Sequence, residues 1–277
     1  MCSSDLLTFI ATKVLINHGL TPQEIFFYRF LIAYIGIWAI SPKHLFADNL
    51  KDELWLVAGG VFGGSLYFFT ENTALGITQA SNVAFIICTA PLLTTILSLL
   101  FYKSEKATKG LIYGSLLALI GVGLVVFNGS VVLKLSPVGD LLTLLAALSW
   151  AFYSLVIKRM TGRYPTVFIT RKIFFYGVLT ILPAFLLHPL QPDFDVLLQP
   201  LVLSNLLFLA VLASLICYIL WNVVLKQLGT MRASNYIYLN PLVTMVASVL
   251  ILHEQITWIT LMGAACIILG VYLAEKK

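Results

Sequence analysis

Pro91-Leu92-Leu93-Thr94 opens an apolar run that Glu105 closes, and Gly114 and Gly121 punctuate the run that follows. Far downstream the order returns: Pro241-Leu242-Val243-Thr244, then Glu254, then Gly263 and Gly270. From acid to glycines the spacing is nine and then seven residues in both copies. Ala80-Ser81-Asn82 precedes the first proline and Ala233-Ser234-Asn235 the second, three residues closer. Asn72-Thr73-Ala74-Leu75 can be laid against Asn222-Val223-Val224-Leu225. So many features in one order indicate an internal duplication of about half the chain, which predicts two units, 1–130 and 137–277.

Composition sets the class. The 277 residues are 60% hydrophobic and 10% charged, with mean hydropathy +0.97. Soluble domains are roughly 45–50% apolar and about 25% charged. Only bilayer hydrocarbon accommodates this much apolar surface, at about 20 residues per helical span. Working outward, the chain first offers residues 6–16, too short to span and carrying no cleavage site of a signal peptide. They read as the last half of a first helix whose beginning is missing. Spans are then expected at 25–40, 54–75, 80–102, 111–127, 141–157, 167–187, 201–225, 233–252 and 258–274. They must be helices, because lipid offers no partner to an open backbone amide. An all-α integral membrane protein is expected, with no room for a soluble domain.

Charge sets the expected orientation. With the partial helix numbered one, the loops after even-numbered helices and the C-terminal tail hold 14 of the 17 basic residues. The positive-inside rule puts those loops and the C-terminus in the cytoplasm. Because the charge follows the loops, the net +5 points to membrane topology and not to nucleic acid. Five helices per unit is an odd number, so the second unit is expected upside down relative to the first. Inverted repeats of this kind are a recurring construction of secondary transporters.

These residues resemble the EamA-type branch of the drug/metabolite transporter superfamily: tandem five-helix units, each with Ala-Ser before a mid-helix proline and a Glu ahead of a glycine-bearing final helix. The resemblance covers about residues 13–274. It implies a ten-helix inverted repeat around a central cavity that opens to each side in turn, in the bacterial cytoplasmic membrane. Members of the family export amino acids, related metabolites or drugs. Helix one lines the cavity in the family, and this chain departs from the pattern in lacking most of it.

Candidate binding residues follow from polarity at membrane depth. Pro91 and Pro241 each remove an amide and are expected to kink their helices, freeing the carbonyls of Ile87 and Ile237. Asn82, Thr89, Asn235, Tyr238 and Asn240 stand beside those kinks, as solute contacts or as interhelical glue. Glu71, followed by Asn72, is the acid well inside a span and the expected proton site, unless it reaches the interface. Lys13 falls on the helix expected to line the cavity, whereas Arg29, in the first turns of its helix, reads as an interfacial anchor. Glu105 and Glu254 read as anchors at helix ends. Trp150 with Tyr153, and Tyr218 with Trp221 and Asn222, share helix faces as pocket walls or as packing. The glycine pairs Gly59/Gly63 and Gly60/Gly64 read as helix-packing faces.

No enzyme signature is present. There is no phosphate loop, no paired histidines and no short-range nucleophile–base set, and His18, His44, His188 and His253 fall at loop edges. Cys2, Cys88, Cys217 and Cys266 lack metal-ligand spacing. No cofactor is expected. A secondary carrier, driven by protons or by a counter-solute, competes with an intramembrane enzyme acting on a lipid-borne substrate and with a non-transporting scaffold. An enzyme would cluster acids or histidines at one interface, and a scaffold has no use for paired broken helices around polar groups.

Overall fold

The computed structural model describes residues 5–40, 45–102, 106–127, 136–186, 189–190, 194–243, 245–246 and 257–276. Glu105, Glu254, Lys43, Lys103, Lys134 and Asp193 lie outside them. Among the described residues the structure is helical, without strands. Helix α1 is Asp5–Asn17, and the positive φ of Gly19 turns the chain into α2, Pro22–Ile40. The turn is closed by a capping box. Thr21 N donates to Glu24 Oε2 at 2.9 Å, and Glu24 N donates to Thr21 Oγ1 at 3.4 Å.

Helix α3 runs as Leu50–Gly60, a π-helical Val61–Ser65, then Leu66–Ile77. Helix α4 is in two pieces, Ala80–Ile87 and Ala90–Phe101, and α5 is Lys109–Phe127. Pro137–Thr161 forms α6, and Thr166–Ile181 forms α7, which tightens into a 3-10 turn at Leu182–Leu186. Helix α8 repeats the pattern of α3: Pro200–Leu207, a π-helical Phe208–Ile216, then Cys217–Leu228. Thr230–Asn235 begins α9 and passes into a 3-10 turn at Tyr236–Leu239, while Trp258–Glu275 is α10.

Seven of these stretches are long and apolar enough to cross a bilayer. The span expected at 54–75 is helical, but its four glycines, Ser65, Thr70 and Glu71 dilute its apolar character. Polarity is distributed as lipid requires. Ile112, Leu116, Ile120, Leu261, Ile268 and Leu269 are exposed, whereas Thr94, Thr143, Ser154, Thr170, Asn222 and Asn235 are fully buried. Several buried hydroxyls, though not that of Thr94, find backbone partners one turn back, as when Thr143 Oγ1 donates to Gly139 O at 2.7 Å.

Both proline positions carry irregular backbone: α4 is interrupted, and α9 tightens without a gap. In α4 the interrupted carbonyl that finds new partners is that of Ile86, which accepts from Thr89 N at 2.9 Å and Thr89 Oγ1 at 2.7 Å. The second segment of α4 then starts with Pro91 in its first turn, where a missing amide costs nothing. In α9 the tightened turn lies just ahead of Pro241.

The glycines act as packing surfaces. A Cβ on Gly60 would stand 2.5 Å from Tyr176 Cβ, and one on Gly63 would collide with the Tyr153 ring. Helices α5 and α10 cross backbone to backbone. A Cβ at Gly121 would lie 2.6 Å from Gly263 O, and one at Gly270 would lie 2.5 Å from Gly114 O.

Candidate functional site

The two π-helical segments build the centre. A π turn widens the helix by one residue and disturbs the i to i−4 ladder, leaving carbonyls open to outside donors. In α3 the carbonyl of Phe62 accepts from Ser149 Oγ of α6 at 2.8 Å, and that of Gly63 accepts from the Tyr218 hydroxyl of α8. In α8 the π segment presents Ser214, whose Oγ accepts from Arg29 Nε of α2 at 2.9 Å. Interruptions in α3 and α8 thus tie four helices around one point.

Aromatic rings fill the space between those ties. Trp150 and Tyr153, three apart on α6, have centroids 4.9 Å apart. Tyr218 and Trp221 meet them from α8, with Tyr153–Tyr218 at 5.9 Å and Trp150–Trp221 at 6.0 Å. Tyr67 of α3 lies 5.0 Å from Trp150, and Phe174 of α7 lies 5.4 Å from Tyr218. Each such ring pair contributes about 0.5–1.5 kcal/mol beyond the area it buries. Tyr153 donates its hydroxyl to Asn222 Oδ1 at 2.7 Å, and Asn222 Nδ2 donates to Thr170 Oγ1 at 2.9 Å. The indole N–H groups of Trp150 and Trp221 are buried and find no acceptor among the described residues.

Charge enters the cluster from one side. Glu71 is buried and accepts the Tyr67 hydroxyl at 2.6 Å. Arg29 is 2% exposed, lies 4.2 Å over the Phe68 ring, and interacts electrostatically with Tyr218, Glu71 and Tyr67. The interfacial reading of Arg29 is therefore corrected: seven residues into α2, roughly 10 Å along the axis, it turns inward onto α8. Its position in the sequence, just behind the capping box, gave no sign of this. Tyr67, Phe68 and Ser214 were likewise missed, although the four-residue spacing of Tyr67 and Glu71 was a usable signal.

The remaining candidates fall in other places. Asn72 is buried and donates Nδ2 to Pro22 O at 3.3 Å, which holds α3 to the start of α2. Thr89 caps the α4 break, and Asn82 is buried near the start of the same helix. Asn235 accepts from Ser115 Oγ at 3.0 Å. Tyr238 packs with Cys88, Ala118 and Val122, in a cluster apart from the aromatic centre, and Asn240 is half-buried. Lys13 is exposed on α1, outside the buried centre. Pro91 follows the interruption of α4, and Pro241 follows the 3-10 turn of α9.

A second polar group lies at the start of α3. Arg163 Nη1 meets Asp52 Oδ1 at 2.8 Å, and Tyr164 donates to Asp52 Oδ2 at 3.0 Å. Beside them Glu53 accepts from Lys172 and from the Tyr176 hydroxyl. Desolvation pushes the Asp52 carboxyl upward, but hydrogen bonds from Arg163, Asn49 and Tyr164 outweigh it and hold the group below its ordinary range. Desolvation of Glu53 is outweighed in the same way by Lys172, Tyr176 and the Ala47 amide. These bonds join α3 to the α6–α7 turn and to α7.

The sequence matches the EamA-like transporter family over residues 7–127 and 137–275. An "Uncharacterized transporter" of Archaeoglobus fulgidus is 27% identical over 98% of this chain and 93% of its own length. A Salmonella typhimurium protein named "Probable amino-acid metabolite efflux pump" is 27% identical over 96% of this chain and 89% of its own. One crystal structure superposes with a TM-score of 0.73 over 99% of this chain and 97% of that one, at 18% identity, a likeness of fold. With its apolar helices and its buried polar centre, the chain belongs to the EamA-like transporter family and is an integral membrane transporter.

Proposed function

We propose that this chain is a secondary carrier that exports a small metabolite, an amino acid or related solute, across the bacterial cytoplasmic membrane by alternating access. The observation that carries the reading is the buried aromatic and charged cluster of Arg29, Tyr67, Glu71, Trp150, Tyr153 and Tyr218 at the π-helical segments of α3 and α8. Irregular backbone at membrane depth is tolerated where it lines a cavity or is buried in protein, and buried charge there marks solute or ion paths. The amino-acid class rests on the efflux-pump name of a relative.

Alternating access needs two halves that exchange roles. Units 1–130 and 137–277, inverted in the membrane, supply them in this reading. Gly114 and Gly263 hold one position in the duplicated pattern, and Gly121 and Gly270 hold the other. The contacts are crosswise, Gly114 with Gly270 and Gly121 with Gly263. Crosswise pairing is what a two-fold axis perpendicular to the helices produces. The π segments of α3 and α8 and the irregular backbone of α4 and α9 support the same symmetry. The cytoplasmic C-terminus follows from the distribution of Lys and Arg.

Protons or a counter-solute supply the driving force, with Glu71 as the buried acid in the path. Proteoliposomes loaded with a panel of amino acids and related metabolites test the function. Saturable counterflow above that of empty liposomes is expected, and Glu71→Gln should remove its dependence on an imposed pH gradient. No flux from any member of the panel would leave a scaffold in place of a carrier.

A further inference from the structure

Resting on the carrier reading, we infer that Arg29 is the receptor for an oxyanion group, carboxylate or phosphate, on the transported solute. In this account Ser214 holds the guanidinium in place between loads, with the charge of Glu71 nearby. A buried ion in a span is costly unless it is paired and hydrogen-bonded. Arg29 spends Nε on Ser214 at 2.9 Å and lies 4.2 Å over the Phe68 ring. A guanidinium has five N–H donors, and its Nη edge presents the pair that matches an oxyanion bidentately.

The donors around it agree. Trp150 and Trp221 are 2% and 4% exposed, with centroids 6.0 Å apart, and neither indole N–H has an acceptor among the described residues. The acid on this side, Glu71, already accepts Tyr67 at 2.6 Å. A buried donor left without an acceptor is expensive, so a centre rich in donors favours a solute that brings oxygen acceptors. The rings of Tyr67, Tyr153 and Tyr218 offer walls for an apolar body attached to that group. A cationic group on the same solute would take Glu71 while Arg29 takes the anion, so the centre suits a zwitterion.

A purely structural role for the buried Arg29 and Glu71 is the competing account, and the test separates the two. Purified chain in nanodiscs is titrated with 3-phenylpropionate, phenyl phosphate and neutral 3-phenylpropanol, followed by quenching of tryptophan fluorescence. Hydrogen bonds to charged groups contribute about 1.5–3 kcal/mol, so the parent should prefer an oxyanion probe by roughly ten- to a hundredfold in Kd. The double variant Arg29→Gln/Glu71→Gln, which leaves no unpaired charge, should bring all three probes within about twofold. Arg29→Lys should restore part of the preference, since it keeps the charge and loses the fork. Comparing the carboxylate with the phosphate identifies the group. Equal binding of the three probes by the parent, or a preference that survives in the double variant, overturns the proposal. A parent that shows the preference but moves nothing in the metabolite panel sinks the carrier and leaves the anion site standing.

Discussion

Gly114 and Gly270 meet backbone to backbone where α5 crosses α10, 156 residues apart in sequence, and Gly121 and Gly263 make the matching contact one segment away. With no Cβ on either side, the two helices approach as far as their carbonyls allow, and close van der Waals packing replaces the missing hydrophobic drive between helices in lipid. The contact is reciprocal, so a side chain at either position of a pair strikes the backbone of the other.

Gly121→Leu is therefore expected to separate α5 from α10. Overpacking of a close contact typically costs about 1–3 kcal/mol. Thermal unfolding in detergent should show Tm lowered by several degrees or a chain that fails to purify monodisperse. A Tm equal to that of the parent would mean that the crossing tolerates a gap.

Tyr153→Phe tests the aromatic centre without emptying it. The ring stays on Gly63, but Asn222 Oδ1 loses its 2.7 Å donor. An orphaned buried acceptor costs about 1–3 kcal/mol. Tm should fall, and solute affinity should weaken with it if Asn222 faces the path. Unchanged Tm would place water, and not Tyr153, as the effective partner of Asn222.

Asp52→Asn tests the tie between α3 and the α6–α7 turn. The folded carboxyl is held below its ordinary range, so its stabilisation is fully present above the usual Asp value near 3.9 and is lost as pH falls through the folded value. The Tm difference between parent and variant should be largest at neutral pH and shrink below about pH 4. Transport, if this tie opens in the cycle, should quicken as the link to Arg163 weakens. A difference in Tm that stays constant with pH would remove the charged tie from the account.

Orientation is checked by cysteines at exposed positions. Lys106→Cys and Lys226→Cys should be protected from an impermeant maleimide in intact cells, while Gln79→Cys should label. Lys172, an obvious choice from its sequence, is buried against Glu53 and reports nothing. Strong outside labelling at position 106 would reverse the topology.

What was legible in the sequence is what local chemistry dictates. Pro91 breaks α4 wherever it stands, and four small residues at Gly59, Gly60, Gly63 and Gly64 make a packing face on any helix. The glycines at which α5 and α10 cross are visible as a repeated spacing, but which helices they bring together is not. The π segments at Val61–Ser65 and Phe208–Ile216 left no such mark. Val, Phe, Leu and Ala suit an α-helix equally well, and the donors that use the widened turns, Ser149, Tyr218 and Arg29, arrive from other helices. For the same reason Arg29 looked like an anchor: its depth could be counted, but the face it turns inward is set by Ser214, 185 residues away.

In the carrier reading the aromatic and charged centre is reached from each side of the membrane in turn, and Cys217 is a native reporter inside it. It is 9% exposed and interacts electrostatically with Arg29. With Cys2, Cys88 and Cys266 replaced by Ala, the rate of Cys217 modification by an impermeant methanethiosulfonate is measured from each face of oriented proteoliposomes, with and without a transported solute on one side. Modification from both faces is expected, with solute on one side slowing one rate and raising the other. Modification from one face alone, under every gradient, would contradict alternating access.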